Sequence, residues 1–259
     1  QSFHNDDLVL MNRRHNGEEA LTSIRNAEAS NGTNLNVDLI YGVPGLDNAR
    51  WEDNIQTFLD LDVPHLSAYH LMFEPKTVFD HMRKNNKITP VEDEVSHNHY
   101  KTLITQMKDA GYSHYEISNF ARNNLFSQHN TNYWLGRKYI GIGPSAHSYD
   151  GNRRSWNVAN NTKYCKELQA GTNGYFTQEE PTQTNRFNEY ILTSLRTVYG
   201  LDYTYIQDNF GPEKLELLKR KLKLFKPNEH YVLTKSGFRL SEGGWLVSDF
   251  IMRELFLES

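Results

Sequence analysis

The sequence predicts an α/β fold in which strands of a parallel sheet alternate with helices, followed by a mainly helical tail. Three observations carry this. Residues 36–45, NVDLIYGVPG, hold a short apolar run that stops at a Gly-Val-Pro-Gly turn signal. Such a run reads as a strand covered on both faces. Helix and strand signals then alternate with short links as far as residue 120, as parallel βα units require. Beyond Pro181, three helical stretches precede a two-stranded hairpin.

Taken in order, Asp6 and Asp7 precede Leu8, Leu10 and Met11, the start of a short helix. Asn16 caps a second helix, with Glu18 and Glu19 in its first turn and Ala20, Ile24 and Ala27 at helical spacing. Asn31-Gly32 is expected to close it. The strand around Asp38 follows, then a helix over 49–61 that places Trp51, Ile55, Phe58 and Leu59 on one face. A second strand is expected over 65–71, and 74–91, polar and carrying Pro75 and Pro90, reads as a long loop. An amphipathic helix over 92–110 leads to a third strand over 115–120. Helices are expected over 186–199, 203–209 and 212–222, strands over 231–234 and 238–240, and a last helix over 244–257.

The 259 residues carry 28 Lys+Arg and 32 Asp+Glu, a formal net charge of −4. That gives no reason to expect nucleic acid or an anionic membrane as partner. Three helices and a hairpin resemble a winged helix, yet acids and bases nearly balance over 181–259 and Glu213 and Glu216 flank the basic cluster 219–223. A nucleic-acid binder is far more basic. With Cys165 as the one cysteine, no intrachain disulfide can form. No apolar run approaches the ~18 residues of a membrane span, and a cytoplasmic protein is expected. The chain begins at Gln1, within what reads as a structured segment, so a piece of a longer protein is expected.

Asp38 is the informative charge. Inside a covered strand a carboxylate is costly unless paired. It either meets a loop or a neighbouring arginine, or it holds a polar ligand at the mouth of the sheet. Residues 127–151 crowd four aromatics, glycines and two histidines together. His129 and His147 are structural groups or ligands. An imidazole beside Tyr133 and Trp134 is what a planar metal-bearing macrocycle needs. The Gly141/Gly143 pair is a weak phosphate signal. His97 and His99 point apart on a helix and read as solvated. The 143–147 stretch lacks the second glycine of a nucleophile elbow. Cys165 reads as a partly buried side chain in a helix.

In order along the chain stand QSF at the start, NRRH at 12–15, VDLIYGVPG at 37–45, HLSAYHL with Glu74-Pro75, HYEISNFA at 114–121, HNTNYW at 129–134 and GIGPSAHSY at 141–149. Together they resemble the radical S-adenosylmethionine (SAM) family of oxygen-independent coproporphyrinogen III oxidases. HNTNYW resembles the HNxxYW motif of its haem-chaperone branch, HemW. The resemblance implies the C-terminal half of a partial (β/α) barrel over 1–150, a connecting segment over 151–180, and a winged-helix-like C-terminal domain over 181–259. It implies SAM binding by Gln1, Arg13, Asp38, the backbone at Met72, and His147. His147 stands where the oxidases carry an apolar residue, which favours the chaperone branch. It implies haem binding by His129, Asn130, Tyr133 and Trp134, with His129 as candidate iron ligand.

The family's [4Fe–4S] cluster needs a CxxxCxxC loop, and this chain has none. The resemblance therefore implies cluster ligands outside this chain, an N-terminally truncated member, and no SAM reduction by it alone. An open half-barrel would expose a strand edge and apolar inner surface, so self-association is expected. The implied function is haem carriage to a haem-receiving protein. The alternative is oxidative decarboxylation of coproporphyrinogen III.

Overall fold

The computed structural model describes residues 1–30 and 34–258. The expected stop at Asn31-Gly32 lies outside the described residues. The chain divides into two compact units, Gln1–Ser127 and Gln128–Ser259.

The first unit opens with α1 (Asn5–Leu10) and α2 (Gly17–Ala29). Asn16 and Glu19 form a reciprocal capping box at the start of α2, each satisfying an orphan N–H of the first turn. Then come β1 (Asn36–Tyr41), α3 (Asn48–Asp60), β2 (His65–His70), α4 (Val78–Lys84), α5 (Asp93–Asp109), β3 (Ser113–Glu116) and β4 (Asn119–Ala121). The sheet order is β1-β2-β4-β3. β1 and β2 are parallel, with Asp38 opposite Ser67, and β4 runs antiparallel to both of its neighbours.

Side chains alternate across a strand, and here the two faces differ in chemistry. Leu39, Tyr41, Leu66, Ala68 and Phe120 are buried on the side against which α3 and α5 pack. Those helices contribute Trp51, Ile55, Phe58, Leu103 and Met107, all fully buried. The other face carries Asn36, Asp38, His65, Ser67 and Asn119, joined by hydrogen bonds. The expectation of a strand with apolar cover on both sides is thereby corrected. The polar face also carries Ile40 opposite Tyr69, and Tyr69 is 41% exposed.

Three further expectations are corrected in this unit. The third strand is not one run over 115–120 but a tight hairpin. The Glu116 carboxylate accepts from the Ser118 N–H and the Asn119 side-chain amide, which folds the chain back at Ile117-Ser118. The loop over 74–91 contains α4, because the Thr77 hydroxyl caps it at the Asp80 N–H and Asp80 is gripped by Arg83 and Lys84 at 2.9 and 2.7 Å. His99 is not solvated: it is fully buried, and both ring nitrogens lack partners among the described residues. It shares the inward stripe of α5 with Leu103, four residues on. His97 is exposed, as expected.

The second unit begins with α6 (Gln128–Trp134), β5 (His147–Tyr149), β6 (Arg154–Asn157), α7 (Asn161–Gln169) and β7 (Phe176–Glu179). The three strands form an antiparallel sheet, β5-β6-β7. α8 (Gln183–Leu195), β8 (Leu201–Asp202), α9 (Tyr203–Phe210), α10 (Pro212–Leu222), β9 (Tyr231–Leu233), β10 (Gly237–Leu240), α11 (Glu242–Leu246) and α12 (Ser248–Leu255) complete it. Its second sheet is β8-β10-β9. Phe187, Ile191, Ile206, Phe238 and Leu240 are fully buried in this unit. The single last helix expected over 244–257 is two, because Val247 leaves helical geometry at φ −122°. Cys165 lies on α7, as expected, but is exposed rather than partly buried.

Candidate functional site

The polar face of the first unit is an ordered network. His65 is buried between two partners: its Nδ1 lies 2.5 Å from Asn36 Oδ1 and its Nε2 2.6 Å from the Tyr115 hydroxyl. The Asn36 amide nitrogen donates to Asp38 Oδ1 at 2.7 Å, because a carboxylate there can only accept. That leaves Asn36 Oδ1 to accept, so His65 donates from Nδ1 and Nε2 accepts from Tyr115. Burial drives the His65 pKa down to about 4, against the raising field of Asp38. The imidazole is therefore neutral at pH 7, as this directional chain requires. Ser67 extends the network by donating to Asn119 Oδ1 at 2.8 Å. Asp38 itself is exposed at the third position of β1.

Asp38 and Asn36 line a cleft of about 240 Å³ with Gln1, Phe3, His15 and Ile24. Gln1 is held beside β1, where its carbonyl accepts from the Ile40 N–H at 2.8 Å. The residues after it are anchored to α3. The Phe3 N–H donates to Asn54 Oδ1 at 2.7 Å, and buried Asp7 pairs with Arg50 at 2.7 Å. Gln1 Oε1 is buried without a partner among the described residues. Gln1 and Asp38 thus share one cleft, and Arg13 is not among its lining residues. Met72, beyond the end of β2, is 66% exposed and does not line this cleft. His147 belongs to the second unit.

The chain's residues do not supply an iron–sulfur cluster. Such clusters need thiolates, Cys165 is the one cysteine, and no group of three or more His, Cys, Asp or Glu could hold a metal ion among the described residues.

In the second unit the HNTNYW segment is helix α6. Exposed His129 packs edge-on against Tyr133, one turn away, with ring centroids 4.9 Å apart. Tyr133 in turn meets Tyr139 at 4.6 Å. Tyr133 and Trp134 form part of the wall of a cleft of about 1030 Å³. The Trp134 ring lies 5.2 Å from the Arg196 guanidinium, and its indole nitrogen is buried without a partner among the described residues. Tyr190 and Tyr205, stacked at 4.2 Å, contribute to the same wall, as do Arg154, Arg186 and Glu189. Burial raises the Glu189 pKa, and the nearby Arg154 opposes that rise. His129 and Asn130 do not line the cleft.

His147 opens β5, exposed, with its ring stacked on Trp156 at 6.1 Å. Gly141 holds that strand start closely, since a Cβ there would stand 2.2 Å from the His147 carbonyl oxygen. Gly141→Ala is expected to displace the start of β5 and cost about 1–3 kcal/mol, as overpacking does. The check is chemical denaturation together with the His147–Trp156 ring-current shifts. Unchanged shifts and unchanged stability would refute it.

Sequence reasoning missed Asn36, His65 and Tyr115, and in the second unit Arg154, Arg186, Tyr190 and Tyr205. The first set had a signal: N-x-D in β1 and H-x-S in β2 place polar residues two apart on one face. The second set had none.

No family model matches the chain. Haem chaperone HemW of Bacillus subtilis is 31% identical over 211 residues, which is 82% of this chain and 56% of that protein. Haem chaperone HemW of Lactococcus lactis is 27% identical, over 93% of the chain and 65% of that protein. The mitochondrial radical S-adenosyl methionine domain-containing protein 1 of Danio rerio is 27% identical over 100% of the chain and 61% of its own length. The chain is a HemW homologue. It spans between 56% and 65% of the length of these relatives. Its fold is that of coproporphyrinogen III oxidase HemN from Escherichia coli, a radical SAM enzyme. The TM-score is 0.77 at 20% identity, covering 99% of this chain and 62% of that one. No helix of this HemW homologue is long and apolar enough to cross a membrane among the described residues.

Proposed function

We propose that this HemW-like chain is the haem-holding part of a cytoplasmic radical SAM carrier that passes haem to a receiving protein. The observation that carries the reading is helix α6. It sets Tyr133 and Trp134 into the wall of the large cleft and leaves the His129 imidazole exposed beside Tyr133. An exposed imidazole next to aromatic faces suits axial ligation of haem iron. Asn130, the next residue of the motif, is assigned to the same site.

In the first unit, Asp38 and Arg13 suit the two polar ends of S-adenosylmethionine. A carboxylate accepts from ribose hydroxyls, and a guanidinium grips a carboxylate bidentately. The Asn36–His65 chain fixes one oxygen of Asp38, and Gln1 lies alongside. The Met72 backbone completes the assignment from the family pattern. A [4Fe–4S] cluster would require ligands that this chain does not carry, so no redox step is assigned to its residues. Carriage is preferred to the oxidase reading because HNTNYW resembles the motif of the chaperone branch and His147 stands where the oxidases carry an apolar residue.

The test is haem titration followed by the Soret band. The chain is expected to bind haem saturably, and His129→Ala to weaken binding at least tenfold with a shifted band. Absence of saturable binding, or a His129→Ala titration superimposable on the parent's, would overturn the reading.

A further inference from the structure

The cleft of the second unit is far larger than the HNTNYW segment needs for its own packing, and most of its wall comes from elsewhere in the sequence. Its volume of about 1030 Å³ lies at the upper end of the ~300–1,000 Å³ typical of small-molecule sites. The wall presents flat rings: Tyr133 and Trp134 from α6, Tyr139 from the following loop, and the Tyr190–Tyr205 stack from α8 and α9. Such faces favour planar π-systems in stacked or edge-on arrangements.

The charged lining is Arg154, Arg186 and Glu189, two cations against one carboxylate. Glu189 is satisfied by Arg154 at 2.9 Å. Arg186 donates from Nε to the Pro181 carbonyl at 3.2 Å and from its terminal nitrogens to the Asn152 carbonyl and side-chain oxygens at 3.2 and 3.3 Å, with the Glu180 carboxylate 3.7 Å away. It keeps donor capacity for an incoming carboxylate, which arginine binds bidentately.

We infer that this cleft seats the porphyrin macrocycle of the proposed cargo by its faces, with Arg186 and Arg154 receiving the ring's carboxylates. The inference rests on the haem-carrier reading above and deepens it. It separates two functions that the motif alone would merge. His129 stands outside the cleft lining, one ring away behind Tyr133. The macrocycle is thus held by residues as far along the chain as Tyr205, independently of His129, and iron ligation by His129 is tested apart from the seat.

The experiment uses the full chain with metal-free protoporphyrin IX, haem, and protoporphyrin dimethyl ester as probes, followed by fluorescence or Soret absorbance. Metal-free protoporphyrin is expected to bind the parent and His129→Ala with dissociation constants within threefold of each other. The double variant Arg154→Gln/Arg186→Gln should bind it at least tenfold more weakly. The ester should bind the parent at least tenfold more weakly than the diacid, a measurement that needs no variant to fold. Haem binding that depends on His129 but ignores the arginine changes and esterification would overturn the seat and leave the carrier reading standing. Failure of every porphyrin to bind would overturn both. Arginine-dependent protoporphyrin binding alongside haem binding indifferent to His129 would uphold the seat and remove His129 as ligand.

Discussion

Between pH 7 and pH 4.5 residues 1–127 are expected to lose their fixed tertiary structure while residues 128–259 retain theirs. The cause is a set of buried imidazoles confined to the first unit. Burial lowers the pKa of His65 to about 4 and that of His114 to about 4, and it lowers that of fully buried His99 as well. The unfolded chain binds protons at these sites near the ordinary pKa of ~6.5, whereas the folded unit refuses them. Stability is therefore whole above that value and drains as pH falls towards the folded pKa. Each pKa unit is worth about 1.4 kcal/mol, so His65 and His114 each put at most about 3 kcal/mol at risk. A domain's whole stability is about 5–15 kcal/mol.

The second unit responds differently. Glu189 is raised by burial, so its contribution grows on acidification, and the lowered Asp150 and Asp202 lose theirs only below the ordinary carboxylate range of ~4. Indole N–H resonances make the check direct, because Trp51 is the only tryptophan of the first unit and Trp134, Trp156 and Trp245 lie in the second. The Trp51 signal should vanish first. Simultaneous loss of all four, or a Trp51 signal persisting to pH 4, would contradict the argument.

The sequence carried the element types well where periodicity and capping act locally. Asn16 with Glu19, the apolar face of α3 and the alternation into β2 all depend on neighbours within four residues, and those neighbours are visible in the chain. The failures share a different cause. The β3–β4 hairpin turns on a side-chain carboxylate, Glu116, satisfying the backbone two residues ahead, a competition that strand propensity does not register. Asp38 stood out as a charge in an apolar run, but its partner Asn36 is held in turn by His65, which strand register sets opposite Asn36. Register is a pairing property. The aromatic cleft draws on residues between 133 and 210, too dispersed for any motif, although HNTNYW marked its edge. His99 could have been read inward, since it precedes Leu103 by four residues and Leu103 precedes Met107 by four.

The same back-to-front dependence sets the effect of removing Trp51. Its ring is fully buried, meets Tyr41 at 5.6 Å and His99 at 6.0 Å, and its indole N–H donates to the His99 carbonyl at 2.8 Å. Tyr41 also stacks on Tyr100 at 6.0 Å, so this one side chain ties α3 and α5 to the end of β1. Trp51→Ala is expected to cost about 3–5 kcal/mol, the range for deleting a large buried aromatic. Trp51→Phe keeps most of the volume and forfeits the hydrogen bond, and should cost less. Urea unfolding gives both values. Asp38 projects from the opposite face of β1, so any nucleoside affinity of the first cleft should fall with folded population rather than through lost contacts. At a urea concentration where the parent and Trp51→Phe remain folded, their affinities should agree. A Trp51→Phe chain that is folded yet binds tenfold more weakly would mean that the two faces of this sheet are coupled in a way the hydrogen bonds of Asn36 and His65 do not account for.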